Sequence, residues 1–184
     1  MKKLYLLTTL IVIIGNTATA QKIYDFKPWQ CSFSAMAGTN YTGIDFSGTL
    51  ATRISTGNFG AFLGLTYGNE NVKAYVDKIY IDDKEPVRST IIEAGGKYSF
   101  YKLLAPFPIN MELLLGLCYN WENSDLIDDT EYKHETLGNV FGFSAEYFLN
   151  KNFSLVLKQN VHYLYDSRFG DIRSATLLGI TINF

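Results

Sequence analysis

A strict alternation of apolar and polar side chains constrains this fold more than any other feature of the sequence. It is clearest from Ile109 to Trp121, where an apolar side chain stands at every second position. Successive side chains of a strand point to opposite faces, so this segment would have one face that is apolar throughout. A tilted strand needs about 10 residues to cross a bilayer. The segment is therefore predicted to be a membrane-spanning strand.

The same alternation predicts seven further strands, which gives an even total of eight, as bacterial barrels have. We expect an all-β fold, an eight-stranded antiparallel transmembrane β-barrel of outer-membrane type. The side chains predicted to face lipid on these seven strands are Cys31, Phe33, Ala35, Ala37, Ile44, Phe46, Leu50, Ile54, Phe59, Ala61, Leu63, Leu65, Tyr67, Ile92, Ala94, Tyr98, Phe100, Phe141, Phe143, Ala145, Tyr147, Leu149, Phe153, Leu155, Leu157, Val161, Tyr163, Leu178, Ile180, Ile182 and Phe184.

Short and long connections alternate along the predicted strands. Three short connections are predicted at Ser55–Asn58, Leu103–Pro108 and Asn150–Asn152. Two longer loops are predicted, a charged one over Asn69–Arg88 and an acidic one over Asn123–Glu135. Such alternation places the long loops at one end, which faces the outside if both termini are periplasmic. The sequence leaves open that residues 72–81 extend strands three and four above the membrane.

Charges on the polar face favour a barrel over a soluble β-sandwich. In a closed barrel these side chains point into a narrow lumen, where a charge without a partner costs several kcal/mol. An eight-stranded barrel is filled by its own side chains, so the sequence predicts a plugged barrel and not a pore. The predicted luminal acids and the bases that balance them are Asp45, Glu93, Glu112, Glu146, Arg53, Lys97, Lys158 and Arg173.

Both ends of the sequence carry export signals. Met1–Lys3 is charged, Leu4–Gly15 is apolar, and Ala18-x-Ala20 fits a cleavage site. The expected organisation is a signal peptide over residues 1–20 and an outer-membrane barrel domain over residues 21–184. The alternating segment Ser174–Phe184 resembles the closing strand of bacterial outer-membrane barrels, which predicts localisation in the outer membrane. The net charge is −2 and the sequence contains no basic patch, so no direct nucleic-acid binding is expected.

A catalytic interpretation is the alternative to this structural one. His162, with Ser167 or Asp166 nearby in sequence, would be the candidate for a lipid-modifying enzyme. The luminal acids are matched by bases and no cofactor motif accompanies them, so ion pairing explains them better. The sequence therefore predicts no enzyme, with no catalytic, cofactor-binding or metal-binding residues.

The remaining polar candidates also have structural interpretations. His134 is expected to be solvated in the acidic loop. Cys31 and Cys118 fall on opposite strand faces, and converging Cβ vectors are needed for a disulfide, so two free thiols are predicted. The loop acids could bind a divalent cation loosely, but they lack the twelve-residue calcium-loop pattern and a solvated surface is expected. These acids are Asp82, Asp83, Glu85, Asp125, Asp128, Asp129 and Glu131. Aromatic residues near strand ends are predicted to form interfacial girdles, namely Trp29, Tyr119, Trp121, Tyr163 and Tyr165.

Two segments carry a family resemblance. The stretch from Gly138 to Leu157, GNVFGFSAEYFLNKNFSLVL, and the ending LGITINF resemble the later half of the TraO proteins of conjugative transposons in Bacteroidetes. The resemblance implies a non-enzymatic, structural outer-membrane component of a conjugative transfer apparatus. Its partners would be outer-membrane lipid and other transfer proteins. The alternative is a general small barrel of the OmpA and OmpX type, serving adhesion or envelope integrity through its outer loops.

Overall fold

The computed structural model describes residues 30–40, 43–53, 58–76, 79–104, 107–124, 132–167 and 171–184. Eight strands and one short helix follow each other along these residues. They are β1 Gln30–Asn40, β2 Ile44–Arg53, β3 Phe59–Val76, β4 Ile79–Ser99, α1 Tyr101–Leu104, β5 Ile109–Ser124, β6 Tyr132–Phe148, β7 Phe153–Leu164 and β8 Ile172–Asn183. Within these ranges, no helix has the length and apolar character needed to span a bilayer.

The strands form a closed antiparallel barrel in which each strand pairs with the next along the chain. β1 and β8 close it, in a register that runs from Ser32 opposite Asn183 to Asn40 opposite Ala175. Cys31 and Phe184 extend this seam with two backbone hydrogen bonds of 3.1 and 3.0 Å. The predicted all-β fold of eight antiparallel strands is confirmed.

The two faces of every strand differ as the alternation predicts. Aliphatic and aromatic side chains form an exposed belt around the barrel, and Leu115 in it is 65% exposed. A belt of this kind is stable only against an apolar medium, because it exposes far more contiguous apolar surface than water-soluble monomers do. Polar side chains and small apolar clusters around Phe62 and Leu177 fill the inside. The predicted orientation of the side chains is confirmed on the described parts of all eight strands.

The two ends of the barrel have different connections. At one end, here called the turn end, lie the β2–β3 and β6–β7 turns, the α1 connection, the start of β1 and the last residues of β8. At the opposite end β3 and β4 run on as a two-stranded hairpin as far as Val76 paired with Ile79. The extension of strands three and four that the sequence leaves open over residues 72–81 is therefore confirmed where the structure describes it. The described residues of Asn69–Arg88 pair as two antiparallel strands, which satisfies their backbone groups, and do not form the predicted charged loop. The acidic loop is also shorter than predicted, since β5 continues to Ser124 and β6 begins at Tyr132.

Several predictions fall outside the described residues. These are the signal peptide over residues 1–20, Trp29, Ile54 and the start of the turn after β2, and the acidic residues 125–131. Arg53 is described by its backbone alone, as are residues 72–76 and 79–85 of the hairpin. The predicted luminal position of the Arg53 side chain and the predicted solvation of the acids at positions 82, 83 and 85 remain predictions.

Candidate functional site

The middle of the lumen is occupied by a cluster that converges on one carboxylate. Glu93 on β4 is fully buried, and Lys158 on β7 places its Nζ 2.5 Å from Glu93 Oε1. His162 Nε2 lies 2.9 Å from Glu93 Oε2, and Asn160 donates to the same oxygen at 3.0 Å. Lys158 also lies over the ring of Phe62, 5.6 Å from its centroid, where a cation is attracted to the aromatic face. We call Glu93, Lys158, Asn160 and His162 the central cluster.

A second ion pair lies closer to the turn end. Lys97 Nζ on β4 is 3.2 Å from both carboxylate oxygens of Glu112 on β5. Asn110 donates to Glu112 Oε1 at 2.9 Å and also accepts a 2.6 Å hydrogen bond from Ser99. All four side chains are buried, and the network gives each end of the ion pair a partner inside the barrel.

A third ion pair closes the lumen near the hairpin end. Arg173 Nη2 on β8 and Ser167 Oγ each lie 2.7 Å from Glu122 Oε1 on β5. Asn120 also donates to that oxygen, at 2.9 Å. Glu122 is absent from the predicted luminal set, because the predicted strand ends at Trp121 and the predicted loop begins at Asn123. Continuing the alternation of β5 by one more residue would have found it.

Of the predicted luminal charges whose side chains are described, five form ion pairs and two accept hydrogen bonds from neutral groups. Glu93, Glu112, Lys97, Lys158 and Arg173 all face the lumen and form ion pairs there. The other two predicted acids also face inward and take hydrogen bonds from neutral groups. Asp45 accepts from the Asn40 amide at 2.9 Å, and Glu146 accepts from the Ser154 hydroxyl at 2.5 Å.

Glycines on the luminal face of β3 give the buried carboxylates their space. A Cβ built on Gly64 would lie 2.6 Å from Glu93 Oε1 and 2.7 Å from Glu93 Cγ. A Cβ on Gly68 would overlap the carboxylate of Asp45 in the same way. Both distances are shorter than real Cβ atoms tolerate, so a larger residue at either position would displace a charged group. The glycine-rich polar face of β3 therefore belongs to the ion-pair architecture.

Two small cavities lie between the groups of charged residues in the lumen. One, of about 40 Å³, separates the Lys97–Glu112 pair from the central cluster, and the other, of about 10 Å³, lies between the central cluster and Arg173. A buried water needs roughly 10–15 Å³ of such space, so the two hold a few waters at most. Buried side chains from all eight strands occupy the lumen in the part of the barrel that the structure describes. This filling agrees with the predicted plugged barrel.

The candidate catalytic residues are not brought together. His162 is 2% exposed and bound to Glu93, whereas Ser167 donates to Glu122. The backbone carbonyl of Asp166 lies 2.6 Å from His134 Nε2, so His134 has a protein partner and is not simply solvated as predicted. Among the described residues, no group of three histidine, cysteine or acidic side chains could hold a metal ion.

The cysteine and aromatic predictions can be assessed at the described positions. Cys31 and Cys118 are both free, and Cys118 is buried in the lumen, as strict alternation predicts. Edge-to-face aromatic pairs occur at the hairpin end, with ring centroids 4.6 Å apart for Tyr119–Trp121 and 5.9 Å apart for Tyr163–Tyr165. At the turn end, Tyr98 stands between Phe59 and Phe100, 5.0 Å from each. Aromatic side chains thus border the apolar belt at both ends, which is the arrangement of interfacial girdles.

The hairpin of β3 and β4 projects beyond its neighbours. At this end of the barrel, the first residue of β2, Ile44, pairs with Asn69, and the last residue of β5, Ser124, pairs with Val87. Beyond these pairs, residues 70–76 and 79–86 pair with each other, and we call this segment the ribbon. Seven strand residues span about 23 Å at roughly 3.3 Å per residue.

Only the base of the ribbon is described with side chains. Glu70 lies there, beyond the aromatic residues that border the belt. Burial raises the pKa of the Glu70 carboxyl; the positive charge of Arg173 opposes this shift, while the carboxylates of Asp45 and Glu122 add to it. Proton uptake by Glu70 is therefore easier in the folded protein than in the unfolded chain.

Solved structures of outer-membrane proteins resemble this fold, although no protein-family model and no curated protein sequence matches the chain. A major outer membrane protein of Thermus thermophilus has a TM-score of 0.69 at 17% identity, over 86% of this chain and 100% of that one. Neisserial surface protein A (NspA) has a TM-score of 0.60 at 16% identity, over 85% and 96%. Ail, the attachment invasion locus protein of Yersinia pestis, has a TM-score of 0.54 at 10% identity, over 86% and 100%. The chain therefore has the fold of a small outer-membrane β-barrel.

Proposed function

We propose that the protein is a non-enzymatic outer-membrane barrel of the OmpA and OmpX type, which presents the ribbon outside the cell for adhesion. The ribbon is the observation that carries this proposal, because it reaches past β2 and β5 by about 23 Å. The apolar belt supports placement in a membrane. The likeness to Ail, which is named as an attachment invasion locus protein, supports adhesion.

The ribbon has the composition of an interaction surface that resists aggregation. Exposed strand edges are templates for pairing with other chains, and charged residues and proline at an edge limit unwanted pairing. Residues 70–86 contain five acidic residues, three lysines and one proline, interleaved with valine, isoleucine and tyrosine. This mixture fits selective contact with a polar partner surface better than burial within a membrane.

A variant without the ribbon tests the proposal. Glu70 and Val87 are paired, so replacing residues 71–86 by Asn-Gly would join them through a two-residue hairpin turn. The barrel should still assemble, shown by detergent-dependent extraction and a heat-modifiable gel shift. Cells with equal surface amounts of this variant should attach to protein-coated surfaces no better than cells lacking the gene. Unchanged attachment would reject adhesion. If cells that lack the gene are sensitive to detergent and the variant fully restores their resistance, the result would favour a role in envelope integrity.

A second candidate is a structural role in a conjugative transfer apparatus. The similarity of residues 138–157 to TraO is the observation that favours it. Deleting the gene should then lower the frequency of DNA transfer between cells, and the intact gene should restore it. An unaffected transfer frequency would remove this candidate and leave the adhesin.

A further inference from the structure

Three successive rows of outward side chains cross β3, β4, β5 and β6 where the apolar belt ends near the ribbon. The strand registers align the members of each row, and the rows lie two residues apart along a strand, about 6.6 Å. The row within the belt contains Leu65, Ile92, Tyr119 and Leu137. The middle row contains Tyr67, Thr90, Trp121 and Glu135. The row nearest the ribbon contains Asn69, Arg88, Asn123 and Lys133. The surface thus changes from a mainly aliphatic row, through a row with two aromatic rings and one carboxylate, to a row with two cations.

A hollow of about 310 Å³ lies in the upper two rows. The short side chains of Thr90 and Asn123 stand between the larger ones of Tyr67, Trp121 and Lys133, which leaves this space open. The volume reaches the lower limit of small-molecule sites, about 300 Å³. The cavities inside the lumen are far smaller, at about 40 and 10 Å³.

The charges around the hollow favour an anionic ligand on its ribbon side. Arg88 and Lys133 bring two positive charges to that row, and both side chains are exposed. Glu135 also lines the hollow, and its carboxylate accepts a hydrogen bond from the Tyr119 hydroxyl of the belt row. Glu122 also lines the hollow, but its Oε1 is bound by Arg173 and Ser167 inside the barrel.

We propose that this hollow binds the anionic, phosphate-bearing headgroup of an outer-leaflet lipid. An arginine fork and a lysine ammonium are both suited to phosphate oxygens. Tyrosine and tryptophan are enriched at membrane interfaces, where one end of the ring is apolar and the other is wet. The acyl chains would lie along the belt row below. The inference rests on the membrane placement proposed above and is independent of adhesion.

Lipid binding can be measured through Trp121 itself. The sequence contains two tryptophans, so Trp29→Phe leaves Trp121 as the single fluorophore. This parent, refolded in a nonionic detergent, is titrated with bis-phosphorylated lipid A, dephosphorylated lipid A, phosphatidylglycerol and inorganic phosphate. Emission from Trp121 should change saturably with a phosphorylated lipid. Arg88→Ala with Lys133→Ala should weaken binding at least about tenfold, since charge-assisted hydrogen bonds are among the strongest contacts.

Matched variants keep the result interpretable. Lys151→Ala removes an exposed lysine at the turn end and should bind as the parent does. Arg88→Lys with Lys133→Arg keeps both charges and should retain binding, even if the alanine variant fails its gel-shift test for folding. The tighter of the two phosphorylated lipids identifies the source of the headgroup. Equal affinity in the alanine variant, equal binding of dephosphorylated lipid A, or an identical response to inorganic phosphate alone would overturn the proposal.

The variant without the ribbon provides the last comparison. Its replacement covers residues 71–86 and leaves every residue lining the hollow in place. It should bind lipid as tightly as the parent while losing attachment. The lipid site and the adhesive function can therefore fail separately.

Discussion

Removing Lys158 should strongly destabilise the barrel. Lys158→Met takes away the cation 2.5 Å from Glu93 Oε1, and Glu93 is 0% exposed, so its carboxylate is shielded from bulk water. Breaking a buried ion pair by deleting one partner costs about 3–5 kcal/mol. His162 and Asn160 still bind the carboxylate. We therefore expect the lower limit, about 3 kcal/mol of unfolding free energy.

A double-mutant cycle separates the pair from the packing around it. Glu93→Gln leaves the Lys158 ammonium buried without its carboxylate and should cost a similar amount. The double variant leaves neither charge behind. Its loss should be smaller than the sum of the single losses by about 2 kcal/mol, within the range of contacting residues.

Reversible urea unfolding in phospholipid vesicles, followed by tryptophan emission and the heat-modifiable gel shift, would give these free energies. Lys151→Met is the control, because Lys151 is exposed in the β6–β7 turn and should change stability by less than about 0.5 kcal/mol. Strictly additive losses at Glu93 and Lys158 would refute the reasoning, since they would mean that the two charges do not stabilise each other.

Three further predictions test the belt, the luminal glycines and the ribbon base. Leu115→Arg should lower the free energy of unfolding in vesicles by about 2–4 kcal/mol. Leu103, in α1, is 80% exposed, and Leu103→Arg should lower it far less. Similar losses for the two variants would mean that Leu115 does not face lipid. Gly64→Ala should lower the free energy of unfolding by about 1–3 kcal/mol, because the added Cβ displaces the Glu93 carboxylate. Gly96→Ala is the control in the same unfolding assay and should be tolerated, because a Cβ on Gly96 meets nothing closer than 3.9 Å. Glu70→Gln should stabilise the protein at neutral pH, because the raised pKa of Glu70 means that its charged form is unfavourable when folded. That gain should vanish as the pH falls below the ordinary glutamate pKa of 4.5, where wild-type Glu70 is protonated in both the folded and the unfolded state. A loss of stability in Glu70→Gln at neutral pH would contradict the prediction.

The alternation predicted the barrel well because one physical rule acts at every position. A strand between lipid and a filled lumen must place apolar and polar residues on opposite faces, so Leu115 and Glu112 could be assigned from sequence alone. The rule weakens where the segment leaves the membrane, because an exposed hairpin tolerates charges on either face. Residues 82–86 are a charged run without alternation, so the sequence could only leave open an extension of strands three and four over residues 72–81.

Partner choice inside the lumen was not predictable in the same way. Lys158 and Glu93 are 65 positions apart and lie on strands β7 and β4, which do not pair with each other. Their contact depends on strand stagger, on the side-chain lengths across the lumen and on the space left by Gly64. The hollow near Trp121 depends on register across four strands, which a single strand pattern does not contain.

The seam between β1 and β8 has a consequence for how the barrel assembles. All other pairings join neighbours in sequence, whereas this one joins residues about 150 positions apart, and closing such a loop costs on the order of 4 kcal/mol of chain entropy. Until it closes, β1 and β8 each present an edge of unsatisfied peptide groups, which hydrocarbon does not tolerate. Insertion and closure must therefore be coupled into one step, so the last strand pair to form commits the whole chain to the bilayer.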